Sequence, residues 1–196
     1  MPISTVSQKG LDAPLTLTAP TLTSPVISTI TNGAATITLP TTTGTIALTS
    51  QLPVAGPAFS AYSSAGANIS SSTWTKVTLD TETFDTNSNF ASSRFTPTVA
   101  GYYQINFQIA CSSSGNNAYW QWSSIYKNGS AYVSNTNVNG SGALQSFTWG
   151  TNQLIYMNGS TDYLEFYVNI YVASGTPSYG GGSAATVATG FLARAA

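Results

Sequence analysis

Hydrophobic and polar residues alternate along two long stretches of the sequence, which is the pattern of a β-strand with one buried face. In YYQINFQIAC (Tyr102 to Cys111), an apolar side chain recurs at every second position. DYLEFYVNIYV (Asp162 to Val172) alternates more sharply, so we expect its aliphatic face to lie in a core. That face carries Leu164, Phe166, Val168, Ile170 and Val172, and the other carries Tyr163, Glu165, Tyr167, Asn169 and Tyr171.

Further runs of β-branched and aromatic residues also predict strands, and no helical period competes with them. These runs are Ala58 to Tyr62, Lys76 to Phe84, Arg94 to Val99, Tyr119 to Lys127, Leu144 to Met157 and Ala185 to Arg194. Asn-Gly dipeptides, which favour tight hairpins, occur at Asn128, Asn139 and Asn158. About eight antiparallel strands in residues 53–196 predict a sandwich or a jelly roll.

Residues 1–52 have a different composition, without any Trp, Tyr or Phe. Thr recurs there in short apolar pieces that Pro or Gly closes: Pro14 to Thr23, Val26 to Thr31, Ala35 to Pro40 and Gly44 to Thr49. Such pieces bury too little surface to offset about 1–2 kcal/mol of backbone entropy per ordered residue. We therefore predict an extended Thr-rich β stem over residues 1–52 that needs other copies of the chain, followed by a head over residues 53–196.

The composition of the chain argues against several classes of function. Of the 196 residues only 6% are charged, there is no His, and Cys111 is the one cysteine. The usual metal sites and the Ser/His or Cys/His nucleophile pairs therefore lack their residues, and we expect no cofactor. Five scattered cations make no basic patch for nucleic acid. Because no apolar run approaches about 18 residues, we also expect no membrane insertion.

Several motifs resemble, in order and spacing, the globular head of complement C1q, which shares a jelly-roll superfamily with the tumour-necrosis-factor (TNF) ligands. They are PAFSAYSS (Pro57 to Ser64), FDTNSNFASSRFTPTVAGYYQINFQI (Phe84 to Ile109), IYKNG (Ile125 to Gly129) and ATGFLARA (Ala188 to Ala195). The resemblance implies an all-β jelly roll of about ten antiparallel strands that forms a homotrimer, with one sheet toward the threefold axis. Known heads of this type are binding or structural modules rather than enzymes.

The segment ATITLPTTTGTIALTSQL (Ala35 to Leu52) resembles the sequence that precedes the distal domain in many tailed-phage fibre and virion proteins. This implies a virion protein, made in the host cytoplasm, whose residues 1–52 mediate trimerisation and attachment to other virion proteins. Its head would bind a host-surface glycan or protein. Two alternatives stay open: a capsid or tail decoration protein without a receptor role, and a polysaccharide depolymerase.

The tyrosine face of residues 162–172 is the most informative surface feature. The implied topology puts this strand in the outer sheet, where aromatic rings are able to stack on sugars or contact a neighbouring protein. Tyr179 precedes the glycines at 180–182, which we predict to be a flexible recognition loop. The candidate binding residues are Tyr163, Tyr167, Tyr171, Tyr179, Trp120, Trp122 and Tyr126. The alternative is that Trp74, Trp120, Trp122 and Trp149 are core residues.

The densest acidic cluster consists of Asp80, Glu82 and Asp85. Their oxygens would suit Ca²⁺, although a full site needs six to eight ligands. The alternatives are a solvated strand edge or ion pairs with Lys76 or Arg94. Nothing places another carboxylate across a cleft from this cluster, so we predict neither catalytic residues nor a metal site.

Overall fold

The computed structural model of the protein describes residues 29–32, 35–38, 56–115, 117–138 and 146–196. The chain divides into two compact units, Met1–Pro53 and Val54–Ala196. In the described ranges every regular element is a β-strand. None of the described residues belongs to a helix of the length and apolarity needed to cross a lipid bilayer.

The described part of the first unit is an antiparallel pair of strands, β1 (Thr29–Asn32) and β2 (Ala35–Thr38). Thr29 pairs with Thr38, and Asn32 pairs with Ala35. The predicted strands over Val26 to Thr31 and Ala35 to Pro40 are confirmed in these parts. The predicted pieces over residues 14–23 and 44–49 lie outside the described residues, as does the turn at residues 139–140.

The described part of residues 54–196 forms two antiparallel sheets around one core. The strands of the first are β5 (Thr75–Lys76), β7 (Phe90–Ala91), β8 (Arg94–Phe95), β10 (Ala118–Lys127), β11 (Ser130–Val138) and β13 (Leu164–Val172). This sheet, called the β13 sheet, has the order β11, β10, β13, β8, β7, and β5 also pairs with β13. Tyr167 thus pairs with Lys76, and Glu165 pairs with Arg94.

The strands of the second sheet are β3 (Ala58–Tyr62), β4 (Gly66–Asn68), β6 (Thr81–Asp85), β9 (Gly101–Ser113), β12 (Ser146–Met157), β14 (Pro177–Gly180) and β15 (Val187–Ala195). This sheet, called the β9 sheet, has the order β4, β14, β9, β15, β3, β6, and β12 pairs with β9. The β12 register runs from Ser146 opposite Ser112 to Met157 opposite Gly101. Strand β9 is therefore hydrogen-bonded along nearly its whole length.

Strands with a strongly alternating sequence have nearly the predicted bounds, whereas segments with weaker patterns differ more from the prediction. The prediction of one strand from Lys76 to Phe84 is wrong, because this segment changes sheets: β5 pairs with β13 and β6 pairs with β3. Between them Val77 and Leu79 are buried. The run predicted from Arg94 ends at Phe95, two residues before Pro97, which has no N–H to donate. Strands β4, β7, β11 and β14 were not predicted.

The core lies between the two sheets, where the predicted apolar face of β13 is confirmed. Leu164, Phe166, Val168 and Ile170 are fully buried, and Val172 is 6% exposed. Phe166 and the β9 residue Phe107 have ring centroids 5.1 Å apart, which joins the two sheets. Other rings and aliphatic side chains of this core include Phe59, Phe90, Phe95, Tyr103, Ile105 and Ile109.

Two polar groups in this core behave differently. The Tyr103 hydroxyl donates a hydrogen bond to the Val99 carbonyl over 2.8 Å, and burial raises the pKa of Tyr103 to about 12. Gln121 is fully buried on β10, and neither of its side-chain amide atoms has a hydrogen-bond partner among the described residues. A buried amide without partners costs free energy because it has lost its water and gained nothing in exchange.

We predict that Gln121→Met raises the free energy of unfolding by about 1–3 kcal/mol, because a side chain of similar shape replaces the unpartnered amide. Urea unfolding of both proteins at matched concentration measures the difference. The control is Ser124→Ala: Ser124 is equally buried, but its hydroxyl donates to the Val133 carbonyl over 2.9 Å. This control is expected to lose about 0.5–1.5 kcal/mol. A less stable Gln121→Met protein would contradict the prediction.

Candidate binding site on the β13 sheet

The register of β10 against β13 brings most of the predicted binding residues onto one face. Trp120 pairs with Tyr171, and Trp122 pairs with Asn169. Paired residues in a sheet point to the same side, and here that side faces away from the core. Five of the predicted residues form one group with Trp74, which was not predicted. We call this group the aromatic strip; its members are Trp74, Trp120, Trp122, Tyr126, Tyr167 and Tyr171.

The rings of the aromatic strip contact one another in a continuous row. Trp120 stacks on Tyr171 at 5.0 Å between centroids, and Tyr126 stacks on Tyr167 at 3.9 Å. Trp122 lies 6.2 Å from Trp120 and 6.5 Å from Trp74, whose ring is 6.0 Å from Tyr126. At about 3.3 Å per residue, the row from position 120 to position 126 is about 20 Å long.

Two indoles of the strip are the most accessible. Trp120 is 44% exposed and Trp74 is 38% exposed, so the alternative interpretation of these two residues as core is wrong. Trp122 is half-buried, and Trp149 packs against the core. No sequence pattern predicted that Trp74 belongs to the strip, because Trp74 is placed there by the pairing of the two-residue strand β5 with β13.

An ion cluster lies beside the strip. Glu165 is 5% exposed, and its Oε1 accepts hydrogen bonds from Lys76 Nζ at 2.8 Å and from Arg94 Nη2 at 2.9 Å. Arg94 also covers the ring of Tyr163 at 3.9 Å, and Tyr167 donates to Glu165 Oε2 at 3.4 Å. Lys76 and Arg94 therefore pair with Glu165, and the alternative that they pair with the acidic cluster is wrong.

These contacts set the protonation behaviour of Glu165. Burial alone would raise the pKa of this carboxyl, but the hydrogen bonds and charges of Lys76 and Arg94 outweigh it and hold the pKa below the usual 4.5. A carboxyl with a lowered native pKa stabilises the fold above its unfolded pKa. That contribution is lost as the pH falls through the native pKa.

We predict that Glu165→Gln lowers the thermal midpoint at about pH 7. Its deficit against the unmodified protein is expected to shrink as the pH falls below the usual 4.5 and through the lowered native pKa of Glu165. Thermal melts followed by circular dichroism across this range measure both effects. Glu82→Gln is the control, because Glu82 is exposed on β6 and has no ion pair among the described residues. A deficit independent of pH would contradict the role of the Glu165 charge.

Tyr179 lies apart from the strip. It belongs to β14 in the β9 sheet, is 4% exposed, and its hydroxyl accepts a hydrogen bond from the Thr78 N–H at 3.2 Å. This placement removes Tyr179 from the candidate binding residues. Of the glycines after it, Gly181 is tightly packed, because a Cβ there would lie 2.6 Å from the Ser64 carbonyl oxygen, whereas a Cβ on Gly182 would meet nothing within 4 Å.

Two carboxylates of the acidic cluster, those of Asp80 and Asp85, accept hydrogen bonds from other segments of the chain. Asp80 accepts hydrogen bonds from the N–H and hydroxyl of Ser64, which lower the pKa of Asp80, and Asp85 accepts from the Phe90 N–H. Asp162 pairs with Lys127 at 2.9 Å. Among the described residues, no three His, Cys, Asp or Glu side chains lie close enough together to hold a metal ion.

The outward face of the β9 sheet carries a second surface that the sequence analysis did not identify. Its residues, called the apolar patch, are Tyr102, Leu154, Tyr156 and Phe191, which are 41% to 49% exposed. Leu154 and Phe191 both pair with Gln104 from neighbouring strands, and Tyr156 pairs with Tyr102. The four side chains therefore form one contiguous group.

Comparisons with known proteins identify the fold. No family model matches the sequence, and no curated protein matches it. The globular domain of zebrafish complement 1qA protein aligns with a TM-score of 0.51 and 16% identity, over 72% of this chain and 99% of that chain. Murine APRIL aligns with a TM-score of 0.53 and 7% identity, over 70% of this chain and 98% of that chain. The predicted C1q/TNF-like jelly roll is thereby confirmed.

Proposed function

We propose that this chain is a phage virion protein whose jelly-roll head assembles as a homotrimer and binds a host surface without catalysing a reaction. The observation that carries this proposal is the presence of two large exposed apolar surfaces on opposite sheets of one sandwich, the apolar patch and the aromatic strip. One is used for assembly and the other remains free for a ligand.

The apolar patch suits contact between identical copies. Exposed groups of large apolar side chains typically mark interaction surfaces, and burying one such side chain contributes about 1.5–3 kcal/mol. The outward residues that surround the patch on β9 are Gln104, Asn106 and Gln108, which carry no charge. Arg194, which pairs with Tyr102, lies at one end of the patch. Toward the other end, these uncharged side chains allow three copies to meet around a threefold axis without like-charge repulsion. The C1q resemblance implies the same sheet for this contact.

The N-terminal unit supports attachment to a virion. Residues Ala35 to Leu52 resemble the segment that precedes the distal domain of phage fibre proteins. Strand β2 lies at the start of that region, and it pairs with β1, which precedes it. Short Thr-rich strands need partners to offset their ordering entropy. Other copies of this chain and other virion proteins are the partners we propose for residues 1–52.

A homotrimer would display the aromatic strip three times. Three weak sites on one rigid body bind a repetitive surface far more tightly than any one of them does, because the second and third contacts form within the complex. A non-enzymatic role agrees with the carboxylates: Asp80, Asp162 and Glu165 are occupied by hydrogen bonds that maintain turns and strand pairing.

We predict that Leu154→Lys converts the trimer to a monomer, because it places three cations around the axis where three leucines met. Size-exclusion chromatography with light scattering measures the mass, which is expected to be three times 20.4 kDa for the unmodified chain. Trp74→Lys is the matched control on the opposite sheet and is expected to stay trimeric. An unmodified chain that is monomeric at micromolar concentration would overturn the assembly.

We further predict that the purified full chain adsorbs to cells of the host and reduces the adsorption of intact particles. Cell-binding assays and particle-adsorption rates measure these effects. Mass spectrometry of purified particles is expected to find the chain in the virion. A chain that is present on particles but ignores host cells would favour the decoration role instead.

A further inference from the structure

An unsatisfied polar group lies within the aromatic strip. Asn169 occupies the outward face of β13 between Tyr167 and Tyr171, and it is 8% exposed. Its Oδ1 is buried and has no hydrogen-bond partner among the described residues. Trp122 pairs with Asn169 on one side. On the other side, Thr75 pairs with Val168, and Trp74 directly precedes Thr75. Asn169 therefore lies between the positions of the Trp74 and Trp122 indoles.

We infer that the aromatic strip binds an uncharged glycan chain whose sugar rings stack on the indole faces and whose hydroxyl group donates a hydrogen bond to Asn169. This inference rests on the proposed function and names the ligand of the proposed binding head. A sugar ring has an apolar C–H face and a rim of hydroxyl groups. It therefore satisfies an aromatic platform and a buried amide oxygen together.

The shape of the strip favours a linear chain of similar units. Six rings lie in a row about 20 Å long, and neighbouring rings already contact one another. The stacked pairs Trp120–Tyr171 and Tyr126–Tyr167 are packed before binding and lose little side-chain freedom when the ligand arrives, which preserves affinity. A side chain that covers Asn169 has to move aside for a hydroxyl group to reach the buried Oδ1. Because its units repeat, such a glycan presents one sugar face to Trp120 at one end of the strip and an equivalent sugar face to Trp74 farther along it.

The charge distribution favours a neutral chain. No residue of the strip carries a formal charge at neutral pH. The adjacent cations, Lys76 and Arg94, both direct their charged groups to Glu165 at 2.8 Å and 2.9 Å. An acidic polysaccharide would have to compete with this carboxylate, whereas an uncharged one would not.

The first test is a glycan array of neutral and acidic bacterial, fungal and plant polysaccharides, probed with the full chain. We expect binding to at least one neutral glycan, and titration calorimetry with that glycan then measures affinity. Trp120→Ala and Asn169→Ala are each expected to weaken binding about tenfold or more. Tyr132→Ala is the matched control, because Tyr132 is 50% exposed on β11 outside the strip, and it is expected to stay within about twofold. Binding to acidic glycans alone, or to none, overturns the inference, as does an unaffected Trp120→Ala protein.

A second test separates the failure of this inference from the failure of the proposed function. Host cells are treated with periodate to destroy sugars or with protease to destroy surface proteins, and adsorption of the trimeric chain is then measured. Loss after periodate alone supports the glycan. Adsorption that survives periodate and is lost after protease retains the binding head but overturns its glycan ligand. Absence of adsorption to untreated cells contradicts the proposed function itself.

Discussion

The fold of the second unit depends on contact between the inner faces of β9 and β13. Side chains alternate in a strand, so burying Phe107 and Phe166 against each other commits the intervening residues to the two outer faces. On β13 those residues include Tyr167 and Tyr171. A shift of one residue in the pairing of either strand would exchange its inner and outer side chains. That exchange would expose apolar side chains to water, and its free-energy cost keeps both outer surfaces in place.

Charges are scarce, and most of those described maintain structure. Glu165 binds Lys76 and Arg94, and through them it connects β13 to β5 and β8, two strands with only two residues each. Strands this short form few backbone hydrogen bonds with their neighbours. The ion cluster therefore adds to the stability of their pairing with β13. The same cluster leaves the neighbouring aromatic strip without free cations.

The sequence predicted those strands whose alternating pattern has a single physical cause, the burial of one face. Alternation in residues 102–111 and 162–172 identified the central strands and their faces because one side of each is fully buried. Strand β11 was missed because most of its residues are exposed on both faces, as an edge strand is allowed to be, so no buried face imposes an alternating pattern. Tyr179, Trp74 and the apolar patch depend on which strands become neighbours, and a single sequence does not encode that in any local period.

Five of the six residues of the aromatic strip lie on β10 and β13, two interior strands of their sheet, and Trp74 directly precedes β5. β10 is hydrogen-bonded to β11 on one side and to β13 on the other, and β13 is hydrogen-bonded in turn to β5 and β8. A pulling force on a ligand held there would be shared among four neighbouring backbone ladders loaded together. The sheet is thus mechanically suited to hold a ligand under load, because several strand pairings resist the pull together.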